Sequence, residues 1–153
     1  EWGFDPSWEN ADLFMDEVLD MYDRMMASWT YWSYDPGGWG IWEAGEDGKF
    51  ARERDNANDL VRPYPRSVAG VPRSFLYDPE ARTFELPFDP SPSSTLPTEI
   101  YVPAARHYAD GWSLEGCEES LGCTTSWNAD TEILEVLTPN QTARLELRIT
   151  PNG

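Results

Sequence analysis

The chain has 153 residues, with 28 acidic side chains against 11 basic ones and a formal net charge of −17. An acidic excess of this size repels phosphate backbones and anionic lipid and so speaks against a nucleic-acid partner. A content of 40% apolar and 14% aromatic residues excludes a disordered chain. No apolar run approaches the ~18 residues of a membrane span, and the length suits one domain, or one and a half small ones.

The charge is shared evenly, −9 over residues 1–70 and −8 over 71–153, so acidity belongs to the whole surface and names no partner. The aromatic residues are not shared evenly: six of the eight tryptophans fall in the first 42 residues, more than a small core needs. Either this segment belongs to a larger structure or it lines a site that stacks on flat apolar ligand faces. The chain opens on Glu1 without the charged, apolar and cleavage regions of a signal peptide. Glu1-Trp2-Gly3-Phe4-Asp5-Pro6 reads as a strand end entering a loop. The expectation is a C-terminal piece of something longer.

The spacing predicts a helix over Asn10–Ser28, with Asn10 as N-cap and Asp12 in the first turn. Leu13, Phe14, Val18, Met21, Tyr22, Met25 and Met26 recur at three- and four-residue steps and form its apolar stripe. Trp29-Thr30-Tyr31-Trp32-Ser33-Tyr34-Asp35 is a β-prone run stopped by Pro36-Gly37-Gly38. Strand, loop, helix and strand make a β/α rhythm with parallel strands. A Gly- and Trp-rich loop follows to Gly48, and residues 55–61 offer a helical turn or two before Arg62-Pro63-Tyr64-Pro65.

From about Val71 the period changes from helical to two. Phe84, Leu86 and Phe88, then Ile100 and Val102, then Ala143, Leu145, Leu147 and Ile149 alternate with polar neighbours; Ser74–Tyr77 and Glu132–Leu137 are further strands. Short strands between Pro, Gly, Asp and Ser turns predict an antiparallel β-sandwich, so the expected parts are 1–70 and 71–153. Two cysteines cannot complete a zinc site unaided and the lone His107 is distant, so no metal is expected. A short disulfide between Cys117 and Cys123, worth roughly 2 kcal/mol, is the better reading, and it implies an oxidising compartment.

His107 reads as a surface or structurally hydrogen-bonded imidazole. Gly37-Gly38-Trp39-Gly40 lacks the residues and setting of a phosphate-binding loop, and nothing calls for a cofactor. What remains is a carboxylate among indoles. In a closed parallel barrel the C-terminal strand ends carry the catalysis, and a carboxylate there, beside indoles that stack on sugar rings, is what a retaining glycosidase needs. By itself the opening Glu is equally compatible with an arbitrary cut point. Trp2 reads equally as structural or ligand-binding, and Trp39 and Trp42 equally as an aglycone wall or as covers of core edges.

Glu1-Trp2-Gly3-Phe4, a helix, Tyr31-Trp32-Ser33-Tyr34-Asp35, and Leu60-Val61-Arg62-Pro63-Tyr64-Pro65-Arg66-Ser67-Val68-Ala69-Gly70 together resemble the C-terminal end of glycoside hydrolase family 5, in its endoglycosylceramidase-like branch. The resemblance extends to Phe75-Leu76-Tyr77-Asp78 and Thr98-Glu99-Ile100-Tyr101-Val102-Pro103 as strands of a C-terminal sandwich. It implies the last β/α units of a (β/α)8 TIM barrel followed by an antiparallel β-sandwich. Glu1 maps onto the nucleophile at the end of the seventh barrel strand, and Trp32 onto the sugar-lining residue of the eighth; Tyr34 and Trp39 join it as substrate-binding. The first six barrel strands and the Asn-Glu pair carrying the general acid are missing, so the chain alone is expected to be inactive. The implied parent is a secreted or periplasmic monomer hydrolysing the O-glycosyl bond of a glycosphingolipid or a similar glucoside with an apolar aglycone. The alternatives are another family 5 glucanase or β-glucosidase, and a non-catalytic carbohydrate-binding β-sandwich module.

Overall fold

Helix α1 (Ala11–Met25) is the longest helix of the computed structural model, which describes residues 1–153, with every side chain but that of Leu121. It is shorter than the expected span and buries a different stripe. Ala11, Met15, Leu19 and Asp23 face inward at four-residue steps, whereas Leu13, Phe14, Met21, Met25 and Met26 are exposed. The helix is apolar on two faces, and the four-residue row is the one that meets Trp2, Phe4, Trp29, Tyr31 and Leu60. Asn10 does not cap with its side chain; its backbone is left-handed (φ 63°), which Asn tolerates, and its carbonyl accepts the Phe14 N–H at 3.0 Å. At the other end Met26 is also left-handed (φ 50°), and its N–H and that of Ala27 close on Asp23 O and Tyr22 O.

The two expected parallel strands shrink to one bridge, Trp2 with Tyr31. A lone parallel pair with no third strand beside it has too few inter-strand bonds to propagate, so the (β/α)8 barrel units read from the sequence are not displayed by the described residues. The expected loop instead contains β1 (Trp42–Ala44), which pairs as a hairpin with β2 (Phe50–Glu53) just beyond it, and the expected helical turn follows as α2 (Ala57–Leu60).

The chain divides into two units, Glu1–Val61 and Arg62–Gly153. Their division precedes the change of periodicity near Ala69–Pro72, because β3 (Tyr64–Ser67) already pairs with a strand of the second unit. That unit is antiparallel throughout. One sheet runs β3, β7 (Thr98–Tyr101), β10 (Ile133–Leu137), β9 (Thr124–Asn128). The other runs β4 (Gly70–Pro72), β6 (Thr83–Pro90), β11 (Leu145–Pro151), β8 (Trp112–Glu115), with β5 (Leu76–Asp78) also on β6. The free edge of β6 takes β4 at Phe88–Pro90 and β5 at Thr83–Glu85, end to end. Helix α3 (Ala104–His107) and a 3-10 turn (Glu119–Leu121) connect strands.

Between the sheets lies one core. Phe84, Leu86 and Phe88 of β6 and Leu145, Leu147 and Ile149 of β11 face Ile100, Leu134 and Val136 of the opposite sheet. Period-two alternation is therefore the sandwich's folding signal: each of these side chains points inward because its neighbours on the strand point out. Two hairpins turn by the same device. Asp78 Oδ1 accepts the N–H groups of Glu80 and Ala81, Asn128 Oδ1 those of Asp130 and Thr131, and left-handed Arg82 and Glu132 precede the return strands. Cys117 and Cys123 form a disulfide with Cα atoms 5.3 Å apart, and Cys123 is buried in the same core.

Candidate functional site

Two short backbone segments set the geometry of the first unit. Trp2 donates its N–H to Thr30 O at 3.0 Å, and Trp32 donates to Trp2 O at 2.8 Å. Trp2 and Tyr31, opposite each other in this bridge, meet edge-on at 5.1 Å and pack on α1 with Phe4. Successive residues of an extended segment point to opposite sides, so Glu1 and Trp32 lie on the face turned away from the helix. Both are exposed there, Trp32 at 56%. Gly3 permits the close approach: a Cβ at this position would run into the Trp32 carbonyl oxygen. The peptide bond after Trp32, to Ser33, is cis.

The following loop is tied down strand by strand. Ser33 O accepts the Ile41 N–H (3.1 Å), Asp35 O the Trp42 N–H (3.3 Å) and Asp35 Oδ1 the Gly37 N–H (2.7 Å). Side chains from outside the loop grip its carbonyls. The Tyr31 hydroxyl donates to Trp39 O at 3.0 Å, and Arg54 Nη1 donates to Gly38 O (3.2 Å) and Gly40 O (2.5 Å). Burial raises the Tyr31 pKa, so the phenol stays protonated and remains a donor. Trp39, held through its own carbonyl, keeps its indole half exposed.

Tyr34 stands in a second aromatic group. It lies 6.0 Å from Trp42 and 6.0 Å from Phe50, which are 5.6 Å from each other across the β1–β2 hairpin. Tyr34 and Phe50 are exposed. The arrangement therefore leaves Glu1 and Trp32 exposed next to the Trp2–Tyr31 bridge, fixes Trp39 in a clamped loop, and leaves Tyr34 with Trp42 and Phe50 as an apolar patch. Exposed aromatic side chains of this kind can stack on a sugar ring or hold an apolar substituent.

Sequence reasoning missed Phe50, Tyr31 as a loop anchor, and Arg54. An aromatic on a polar hairpin, a tyrosine in an aromatic run and one of two nearby arginines give no local signal; only the three-dimensional contacts, the loop carbonyls that Tyr31 and Arg54 bond and the rings that Phe50 meets, single them out. His107 is structural, near the rings of Tyr77 (6.0 Å) and Tyr108 (6.5 Å) in the second unit. Among the described residues no group of three or more His, Cys, Asp or Glu is arranged to hold a metal ion, and no helix is long and apolar enough to cross a membrane.

Comparison with known proteins identifies the family of the chain. The family profile described as the glycoside hydrolase family 5 C-terminal domain matches residues 62–150. Endoglycoceramidase I of Rhodococcus hoagii (strain 103S) is 32% identical over 98 residues, which are 64% of this chain and 18% of that protein. Solved structures of endo-glycoceramidase II from Rhodococcus sp. superpose with a TM-score of 0.79 at 29% identity, over 99% of this chain and 32% of theirs, as in its five-membered iminocyclitol complex. Its lactosyl-enzyme intermediate and its ganglioside GM3 complex are each 28% identical with the same TM-score. Sterylglucosidase 1 of Cryptococcus neoformans, at 15% identity and a TM-score of 0.71 over 96% of this chain, shares the fold. The chain spans about a third of the length of the endo-glycoceramidase II structures, and corresponds to their C-terminal part.

Proposed function

Because the chain belongs to glycoside hydrolase family 5, we propose that it is the C-terminal part of a retaining β-glycosidase that cleaves the O-glycosyl bond between a sugar and an apolar aglycone, a glycosphingolipid above all. What supports this reading is the exposure of Glu1 and Trp32 next to the Trp2–Tyr31 bridge, whose own side chains pack on the helix, since alternation turns both neighbours to the outer side. Residues 1–70 are read as the closing β/α units of a (β/α)8 barrel, and 71–153 as the sandwich appended to it.

Glu1 attacks the anomeric carbon. The carbon–oxygen bond to the aglycone breaks as a second carboxylic acid, from a segment preceding Glu1, protonates the leaving oxygen from roughly 5–5.5 Å away. Water then releases the sugar from Glu1, and the acid, now a base, takes its proton. Trp32 stacks on the sugar ring and holds it for attack. The clamped loop presents Trp39, and Tyr34 with Trp42 and Phe50 adds apolar surface, to receive the aglycone. The lactosyl-enzyme and GM3 complexes of the Rhodococcus enzyme support both retention and a glycolipid substrate. The Cys117–Cys123 disulfide suits a secreted or periplasmic enzyme, and the whole enzyme is read as a monomer.

The test is made on the whole enzyme that contains this chain. A 2-fluoro glycoside should form a stable adduct on Glu1, located by peptide mass, and Glu1→Gln should abolish both adduct and turnover. A fluorescent glycosphingolipid should be cleaved in preference to a soluble glucan. An adduct on any other carboxylate would overturn the assignment.

A further inference from the structure

The outer face of the four-stranded sheet carries an open groove of about 280 Å³, just below the usual size of ligand clefts. It belongs entirely to the second unit and is independent of Glu1 and Trp32. Glu99 of β7 and Glu135 of β10 lie directly opposite each other in the ladder, and Glu135 in turn lies opposite Ser126 of β9. Arg66 of β3 closes the row, its guanidinium 3.5 Å from Glu99. Thr98, Ile100, Leu134 and Val136 point into the core, so alternation turns Glu99 and Glu135 outward. Ile133 lies on the same outer face, buried yet outside the core cluster, and forms part of the groove's floor beside the polar row.

Like charges directly opposite on neighbouring strands destabilise a sheet. This sheet keeps two carboxylates in that position. Each retains one partner, Arg66 for Glu99 and the Ser126 hydroxyl for Glu135 at 2.7 Å, and a carboxylate has further lone pairs to offer. The row thus presents acceptors (Glu99, Glu135), donors (Arg66, Asn128) and a hydroxyl that does both, across four strands at about 4.8 Å spacing. We propose that this groove binds a short neutral oligosaccharide. Sugar hydroxyls donate to the two carboxylates and accept from Arg66 and Asn128. The two carboxylates outweigh the single guanidinium, which disfavours an anionic glycan. The guanidinium in the row, and the lack of a third carboxylate, histidine or cysteine beside it among the described residues, disfavour a metal ion.

The experiment is isothermal titration of the whole 153-residue chain with cellotriose, 3′-sialyllactose and calcium chloride in turn. Cellotriose is expected to bind with millimolar affinity, and Glu135→Gln and Ser126→Ala each to weaken it about five- to tenfold while the circular dichroism stays unchanged. The sialylated sugar is expected to bind more weakly than cellotriose. No saturable heat with cellotriose, tighter binding of calcium than of sugar, or binding lost in Trp32→Ala but kept in Glu135→Gln would each overturn the proposal. The last result would assign the sugar to the face bearing Trp32.

Discussion

Leu147 is the sharpest probe of the sandwich core. It is 1% exposed at the middle of β11, in register with Leu86, and β11 is flanked by β6 and β8. Leu147→Ala removes three carbons, and at about 0.8 kcal/mol for each the lost transfer energy is about 2.4 kcal/mol. Strands on both sides keep the backbone from collapsing onto the void, so a cavity term adds to this and brings the loss to about 3–4 kcal/mol. For a unit of this size that lowers Tm by about 12–32 °C. Urea unfolding followed by circular dichroism and a thermal scan measure both quantities. Leu96→Ala is the control: the side chain is 72% exposed and should change stability by less than about 0.5 kcal/mol. A loss below about 1 kcal/mol for Leu147→Ala, or equal losses for the two variants, would refute the assignment of Leu147 to a shared inter-sheet core.

Asp89 bonds to Arg144 at 2.8 Å and to Arg73, and these two guanidinium groups, Arg144 first, hold its pKa down to about 2 from an ordinary 3.8. A depressed folded pKa makes its contribution complete above the unfolded value and lost as pH falls through about 2. Its carboxyl carbon signal should titrate with a midpoint near 2, and Asp89→Asn should flatten that part of the acid unfolding curve. Gly116 has φ +83° and a Cβ there would strike the Glu146 carbonyl, so Gly116→Ala should lose more than about 1 kcal/mol in urea. Reduction of Cys117–Cys123 reopens a loop of sequence separation 6 and should lower stability by about 2 kcal/mol, read with and without dithiothreitol. Leu13, Phe14, Met21 and Met25 leave an apolar helix face in water, so the chain alone should bind a hydrophobic dye, and Leu13→Glu with Phe14→Glu should reduce that signal. Unchanged dye fluorescence in the double variant would move the exposed patch elsewhere.

Strands β6, β7, β10 and β11 were legible because they sit inside their sheets: with a core on one face only, their sequences alternate, and alternation is local. The strands of the second unit that the sequence concealed, β3, β4, β8 and β9, are all edges of their sheets. Edge strands tolerate Pro65 and Pro72 and the polar run Thr124–Asn128, since half their backbone groups need no partner strand; only the tertiary structure pairs them. On α1 the sequence reading took the stripe of Leu13, Phe14, Met21 and Met25 as the buried face, and the structure buries Ala11, Met15 and Leu19 instead, because burial depends on which face meets Trp2, Phe4 and Tyr31. Glu1, Trp32 and Trp39 were named through the family resemblance and not through spacing, and the period-two alternation around the Trp2–Tyr31 bridge follows once that pairing is known. The pairing itself, the grip of Tyr31 and Arg54 on the loop carbonyls, and the opposition of Glu99 to Glu135 join residues distant in the chain. Periodicity carries no record of such contacts: it reports which side of a strand is dry, and folding alone decides what lies across from it.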